Sequence, residues 1–220
     1  MKVENKKSKG KAVVSGIKFE IEPFSEVVKF HGHICPGLVL GYRAANISIN
    51  ELSCERDIDE DLVTIVENDA CGIDAIQVVT GCTIGKGNLI FRNYGKSVYT
   101  FIKRSNGDAV RVSLRDSFNM DNIDPTLSQL REKVLLQTAS AEEKAEFHQQ
   151  MEKVSDNMMT IPDEVLFDIK HVKVDLPEKA RIFQSVRCAR CGEKVAESMA
   201  RVQNSDFVCI PCYGEYSRGW

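Results

Sequence analysis

The apolar positions of this chain fall into two periods. From Leu38 onward Leu38, Tyr42, Ala45, Ile49 and Leu52 recur every three or four residues, which predicts a helix of about four turns over 37–52. A shorter stretch before it, 20–29, places Phe24, Val27 and Val28 at helical spacing with Pro23 in the first turn, and predicts a short helix. The run Leu62 to Glu67 is continuously apolar apart from Thr64 and predicts a buried strand. Helical spacing returns over 70–80, with Ile73, Ile76 and Val79 on one side. Three strand-like runs follow, at 88–93, 97–104 and 109–114, separated by turn residues around Gly95 and by Asn106-Gly107, a strong hairpin signal. They predict an antiparallel meander of at least three strands.

Beyond residue 120 the helical period dominates. Asp124 is placed to cap a helix with Pro125 at its first position, and Leu127, Leu130, Val134 and Leu135 form its stripe. Ser140 and Glu143 have the spacing of a capping box and predict a second helix to about Met158. Its apolar positions are sparse, so it is expected on the surface or against a partner. Pro162 interrupts the pattern, and residues 165–169 and 172–174 predict one last strand. The expected architecture is α+β: an antiparallel sheet with packed helices over 20–176, preceded by an unstructured basic tail at 1–19 and followed by a small unit at 177–220.

Composition narrows the functional classes. The chain is 43% hydrophobic and 28% charged, which is ordinary globular usage. Its net charge of −3 argues against bulk nucleic-acid binding. The lysine-rich start resembles the first part of a signal peptide, but Ala12-Val13-Val14 is too short to be its apolar segment. No apolar run reaches the roughly 18 residues of a membrane span. Eight cysteines without a secretion signal point to metal binding and free thiols in a reducing cytoplasm.

Four of those cysteines form the small C-terminal unit. Cys188, Cys191, Cys209 and Cys212 have the pattern C-x2-C-x17-C-x2-C, the spacing of a four-thiolate zinc ribbon. Each Cys-x-x-Cys turn points two sulfurs at one ion about 2.3 Å away, and a segment this short needs the metal to fold. With all four positions filled by protein, that zinc is structural. Arg187, Arg190, Lys194 and Arg201 are balanced by Glu193, Glu197, Asp206 and Glu215, so they read as a solvated face more than a nucleic-acid surface.

The densest chemistry lies elsewhere. His31, His33 and Cys35 fall within five residues, just ahead of Pro36-Gly37 and the predicted long helix. The helix N-terminus is expected to lower the thiol pKa of Cys35. A second reactive turn, Cys71-Gly72-Ile73-Asp74, follows the first strand, and a glycine-rich loop carries Cys82. That loop lacks the order of a phosphate-binding loop, because Lys86 is followed by Gly87. The residue types allow two chemistries. One is a partly open metal site, of zinc or another transition metal, with His33, Cys35 and Cys71 as ligands, His31 and Asp74 close by and Cys82 a further candidate. The other is thiol chemistry with Cys35 or Cys71 as nucleophile and a histidine as base.

The segments Phe30–Arg43, Glu67–Gln77, Thr80–Leu89 and Tyr94–Lys96 resemble the FmdE family, which takes its name from formylmethanofuran dehydrogenase. Cys188–Gly214 resembles the DksA/TraR-type zinc finger that many of its members carry. The resemblance implies an α+β core, usually dimeric, with a metal-binding or reactive His/Cys cluster at Cys35, Cys71, His31 and Asp74. It also implies a link to molybdenum- or tungsten-dependent formylmethanofuran dehydrogenase, an oxidoreductase. This chain has no ferredoxin-type cysteine run, so an accessory role in that enzyme is expected, alongside its other oxidoreductase subunits. The alternative is a stand-alone metal- or thiol-dependent enzyme acting on a small molecule.

Overall fold

The structure is a computed structural model that describes residues 11–14 and 17–218, with side chains from residue 21 onward. The chain divides into two compact units, Met1–Lys179 and Ala180–Trp220. The first holds strands β1 (Lys11–Val14), β2 (Ile17–Glu20), β3 (Leu62–Val66), β4 (Leu89–Phe91), β5 (Val98–Lys103), β6 (Ala109–Leu114) and β7 (Phe167–Val172). Its helices are α1 (Phe24–His31), α2 (Pro36–Glu51), α3 (Gly72–Thr80), α4 (Leu127–Leu135), α5 (Ala141–Met158) and the single turn α6 (Asp163–Leu166).

Five strands form one sheet in the order β4-β3-β5-β6-β7. The β5–β6 hairpin closes at Asn106-Gly107 as its turn residues dictate. The expected meander differs at its first strand. β4 does not pair with β5; β3 lies between them, antiparallel to β5 and parallel to β4. A parallel pair needs a crossover long enough to span the sheet, and α3 supplies it. The sheet is therefore antiparallel-rich with one parallel edge. Alternate strand residues face opposite sides. Val66, Phe101, Val110 and Val112 join the main core with Leu38, Ala44, Ala45 and Ile49 of α2 and Ala75, Ile76 and Val79 of α3. Val63, Ile65, Ile102 and Ala109 form a second cluster with Ile90 and Val172.

Three other expectations shift. Residues 11–20, assigned to the tail, form the antiparallel pair β1–β2, where Val13, Val14 and Ile17 are strong strand formers. The remaining residues of the expected tail lie outside those described. α4 begins at Leu127, because Asp124 accepts from the N–H and the hydroxyl of Thr126 in a local turn instead of capping the helix directly. The first part of the expected last strand is the helical turn α6, led by Pro162 with Asp163 and Glu164 in its first turn. The capping box of α5 forms as expected, and its narrow stripe, Val154 and Met158, packs on Val39 of α2 and Leu127 of α4. Arg43 ties α2 to the end of α5 by donating to the carbonyls of Met158 (2.7 Å) and Ile161 and pairing with Asp163.

The contact that sets the site is between α2 and α3. Their backbones meet at Gly41 and Gly72: a Cβ on Gly41 would lie 2.0 Å from the Gly72 carbonyl oxygen and 2.4 Å from its Cα. No side chain fits there, and backbone cannot step aside as a flexible side chain can. We expect Gly41→Ala to destabilise the core by about 2–3 kcal/mol through overpacking, read by urea denaturation. Gly85→Ala, where a Cβ meets nothing within 4 Å, is the control and should change stability by no more than about 0.5 kcal/mol. Equal effects of the two would show that the crossing is not tight.

Candidate metal centres

Three helix ends converge beside the Gly41–Gly72 crossing. α1 ends in a left-handed cap at Gly32 (φ 100°), whose N–H donates to the Val28 carbonyl at 2.7 Å. This φ favours glycine, and it turns the chain immediately after His31. Cys35 is the N-cap of α2, with Pro36 in the first turn, and its Sγ accepts from the Leu38 N–H at 3.4 Å. Cys71 is the N-cap of α3. The turn before it is held by Asn68, whose Oδ1 accepts from the Ala70 N–H (3.1 Å) while its Nδ2 donates to the Lys96 carbonyl (2.7 Å).

The ligand atoms of His31, Cys35 and Cys71 lie within 4.8 Å of one another. His31 Nδ1 is 2.7 Å from Asp74 Oδ2 on the first turn of α3. His31 Nε2 is buried and has no hydrogen-bond partner. A histidine held by a carboxylate through one nitrogen, with the other free, is the usual arrangement of a metal-ligating imidazole and its orienting partner. Two soft sulfurs and one imidazole suit zinc or a neighbouring transition metal and leave one tetrahedral position open. The residues present therefore fit such an ion.

His33 lies outside this group. It is exposed, and its ring packs on that of His31 with centroids 4.4 Å apart. The left-handed cap separates the two: His31 still belongs to α1 and faces α3, whereas His33 follows the turn. Cys82 is also apart. It is fully buried in the main core, where its Sγ donates to the Leu62 carbonyl at 3.3 Å and burial pushes its pKa up. The glycine-rich loop around it encloses a polar cluster instead of a phosphate. Buried Asn88 donates to Asp57 Oδ2 (2.8 Å) and the Leu62 carbonyl (3.0 Å), and Lys86 reaches Asp57 at 3.4 Å.

The expected lowering of the Cys35 thiol does not occur. Burial pushes it up, the Leu38 N–H offsets only part of this, and the nearby Cys71 raises it further. In this setting desolvation outweighs the helix N-terminus. Sequence reasoning also passed over Tyr99. It is buried in β5, burial raises its pKa, and its hydroxyl would lie 2.6 Å from a Cβ on Gly72, so it backs the first turn of α3 beside Cys71. The inward alternation of β5 could have indicated it.

The second unit carries two hairpins, β8 (Ser185–Arg187) with β9 (Lys194–Ala196) and β10 (Arg201–Gln203) with β11 (Asp206–Val208). Cys188, Cys191, Cys209 and Cys212 converge so that their sulfurs all lie within 4.8 Å. Gly192 (φ 78°) allows the tight turn after Cys191, and its N–H donates to the Cys188 carbonyl at 3.0 Å. Backbone N–H groups of Cys191 and Cys209 draw the Cys188 thiol down to about 6. Its neighbours Cys209 and Cys191 push Cys212 up to about 12, as expected where four sulfurs compete for negative charge. A divalent cation removes that conflict. Arg190, expected on a solvated face, instead joins the two knuckles by donating to the Cys212 carbonyl and Gln203 Oε1.

Among the described residues no helix is long and apolar enough to cross a membrane. Residues 30–168 match the model of the FmdE family, described as "FmdE, Molybdenum formylmethanofuran dehydrogenase operon". Residues 181–218 match the prokaryotic dksA/traR C4-type zinc finger. A curated relative from Archaeoglobus fulgidus, named a probable S-adenosyl-L-methionine-binding protein, is 34% identical over 197 residues. That alignment covers 86% of this chain and 51% of the relative, so the chain spans about half that protein's length. A crystal structure of an FmdE-like protein of tungsten formylmethanofuran dehydrogenase type, from Syntrophus aciditrophicus, matches with a TM-score of 0.53 at 22% identity. It covers 86% of this chain and 88% of that one and supports the fold.

Metal removal tests the ribbon. Excess chelator, or Cys188→Ser, should collapse the amide dispersion of residues 185–213 in NMR spectra, because the metal contributes about 10 kcal/mol or more of folding free energy in such units. The β3–β7 sheet should keep its signals. A ribbon whose amides stay dispersed without metal would contradict this.

Proposed function

Since the chain belongs to the FmdE family and carries a C4 zinc finger behind that core, we propose that it holds two metal ions with different tasks. Cys188, Cys191, Cys209 and Cys212 hold a structural zinc. His31, Cys35 and Cys71 hold a second transition-metal ion with one position open to a small ligand. The observation that carries the reading is His31, with Nδ1 taken by Asp74 and Nε2 buried without a partner. An unpaired buried nitrogen costs about 1–3 kcal/mol, and a metal ligand bond removes that penalty. The ion would supply Lewis-acid polarisation of whatever occupies the open position. Asp74 fixes the imidazole tautomer, and the Leu38 N–H supports the Cys35 sulfur.

In the cell this makes the protein an accessory component of molybdenum- or tungsten-dependent formylmethanofuran dehydrogenase-type metabolism, working as a cytoplasmic homodimer whose ribbon docks a partner. The support is the family's operon association and the absence of a ferredoxin-type cysteine run. A stand-alone protein acting on a small molecule is the second reading. It is favoured by a cavity of about 460 Å³ lined by His31 and Cys71, and the ligand named for the Archaeoglobus relative is one occupant to try.

Elemental analysis of the purified full chain should find two metal ions in the wild type and one in each of Cys35→Ser and Cys188→Ser. Asp74→Asn should lower core affinity about 10- to 100-fold and leave the ribbon metal in place. One ion per chain, indifferent to Cys35→Ser, would sink the core site. A tagged chain that retains both metals and recovers no dehydrogenase component from its native host would remove the accessory role.

A further inference from the structure

The cavity beside His31 and Cys71 has a volume of about 460 Å³, within the usual range of small-molecule sites. Its charged lining is all of one sign: Asp69 and Asp74 are present, and neither lysine nor arginine lines it among the described residues. Gln77 adds an amide. Asp74 is already engaged by His31, while Asp69 is exposed and forms no ion pair among the described residues. The apolar lining includes Phe91 on the edge strand β4 and Ile84, which are 47% and 69% exposed. Such exposure of two large apolar side chains beside a cavity is what a ligand's apolar body would cover.

The charge balance does not depend on the metal. A divalent ion on two thiolates and a neutral imidazole is electrically neutral, and two protonated thiols with the same imidazole are neutral as well. In both cases the carboxylates of Asp69 and Asp74 set the field. An anionic molecule would meet like charge with no basic group to receive it, whereas a cation finds a partner in Asp69. Phe91 offers a ring face for offset or edge contact with a flat group.

We infer that this cavity selects a small cationic molecule with a flat apolar body, an aromatic or heteroaromatic amine, with Asp69 choosing the charge and Phe91 seating the ring. Phosphorylated and carboxylated molecules of the same shape are excluded. The inference rests on the metal reading above only in placing the ligand next to the ion.

The test is calorimetry on the full chain with benzylamine, benzoate and benzyl phosphate as probes, with elemental analysis of the same samples. Benzylamine should bind at least about tenfold more tightly than either anion, and added salt should shrink the difference. Asp69→Asn should weaken the amine about threefold, and Asp69→Glu, which keeps the charge, should restore it. Phe91→Ala should weaken the amine without altering the sedimentation of the chain. Four results would overturn the inference: no amine binding at millimolar concentration, an anion bound as tightly as the amine, an Asp69→Asn variant with wild-type preference, or a Phe91→Ala variant that dissociates an oligomer and keeps its amine affinity. In the last case a second copy, not a ligand, covers Phe91. A core lacking metal that still prefers the amine would overturn the metal reading alone.

Discussion

The close approach of α2 and α3 at Gly41 and Gly72 is the constraint on which the rest of the core site depends. Ordinary helix pairs stay 8–10 Å apart because their side chains interdigitate. Here one backbone lies against the other, and a Cβ on Gly41 would collide with the Gly72 carbonyl. One turn before the contact, Gly37 comes within van der Waals distance of Cys71, so the starts of both helices are drawn together. The N-caps of those helices are Cys35 and Cys71. Two glycines thus turn a helix crossing into a pair of adjacent sulfurs. Tyr99 stands against Gly72 from the sheet side, so widening at either glycine would shift the site as well as the packing.

Helix ends are natural places for such ligands, because N–H groups there have no partner within the helix. The two cysteine clusters show that this is not enough to decide ionisation. At Cys35 one N–H contact at 3.4 Å is outweighed by burial, and the thiol is raised. At Cys188 several N–H groups converge and the thiol falls to about 6. The ribbon sulfurs are prepared for charge by the backbone. The core sulfurs would depend on the ion itself to become thiolates, which makes metal affinity there more sensitive to pH.

What could be read from the sequence follows the range of the interactions involved. The helix over 36–51, the capping box of α5, the Asn106-Gly107 hairpin and the spacing of the four ribbon cysteines all rest on local rules, and each appears where expected. The small-residue face of α2 also signalled a close neighbour. The pairing of β4 did not follow from local pattern, because the order β4-β3-β5 is settled by where α3 packs and not by the turn before β5. Likewise Cys82 resembled a site residue because of its glycine-rich setting. Its place in the core is set by Leu62 and Asn88, residues well removed in sequence. The choice between His31 and His33 turned on one φ angle at Gly32, which two histidines spaced by one residue cannot reveal.

The two units stand in opposite relation to their metals. The ribbon has few buried apolar residues, Val208 and Cys188 among them, and small units of this kind fold because the ion holds them. The core has a continuous apolar cluster reaching from α2 through α3 to four strands of the sheet, and needs no ion for its fold. It nevertheless keeps His31 Nε2 buried and unpaired, fixed in orientation by Asp74. A fold that is stable without this arrangement, yet retains a polar atom at a cost of about 1–3 kcal/mol, holds that atom for something that arrives from outside. That places the chemistry of the chain in the core and leaves the ribbon, where every ligand position is filled by protein, to shape and contact.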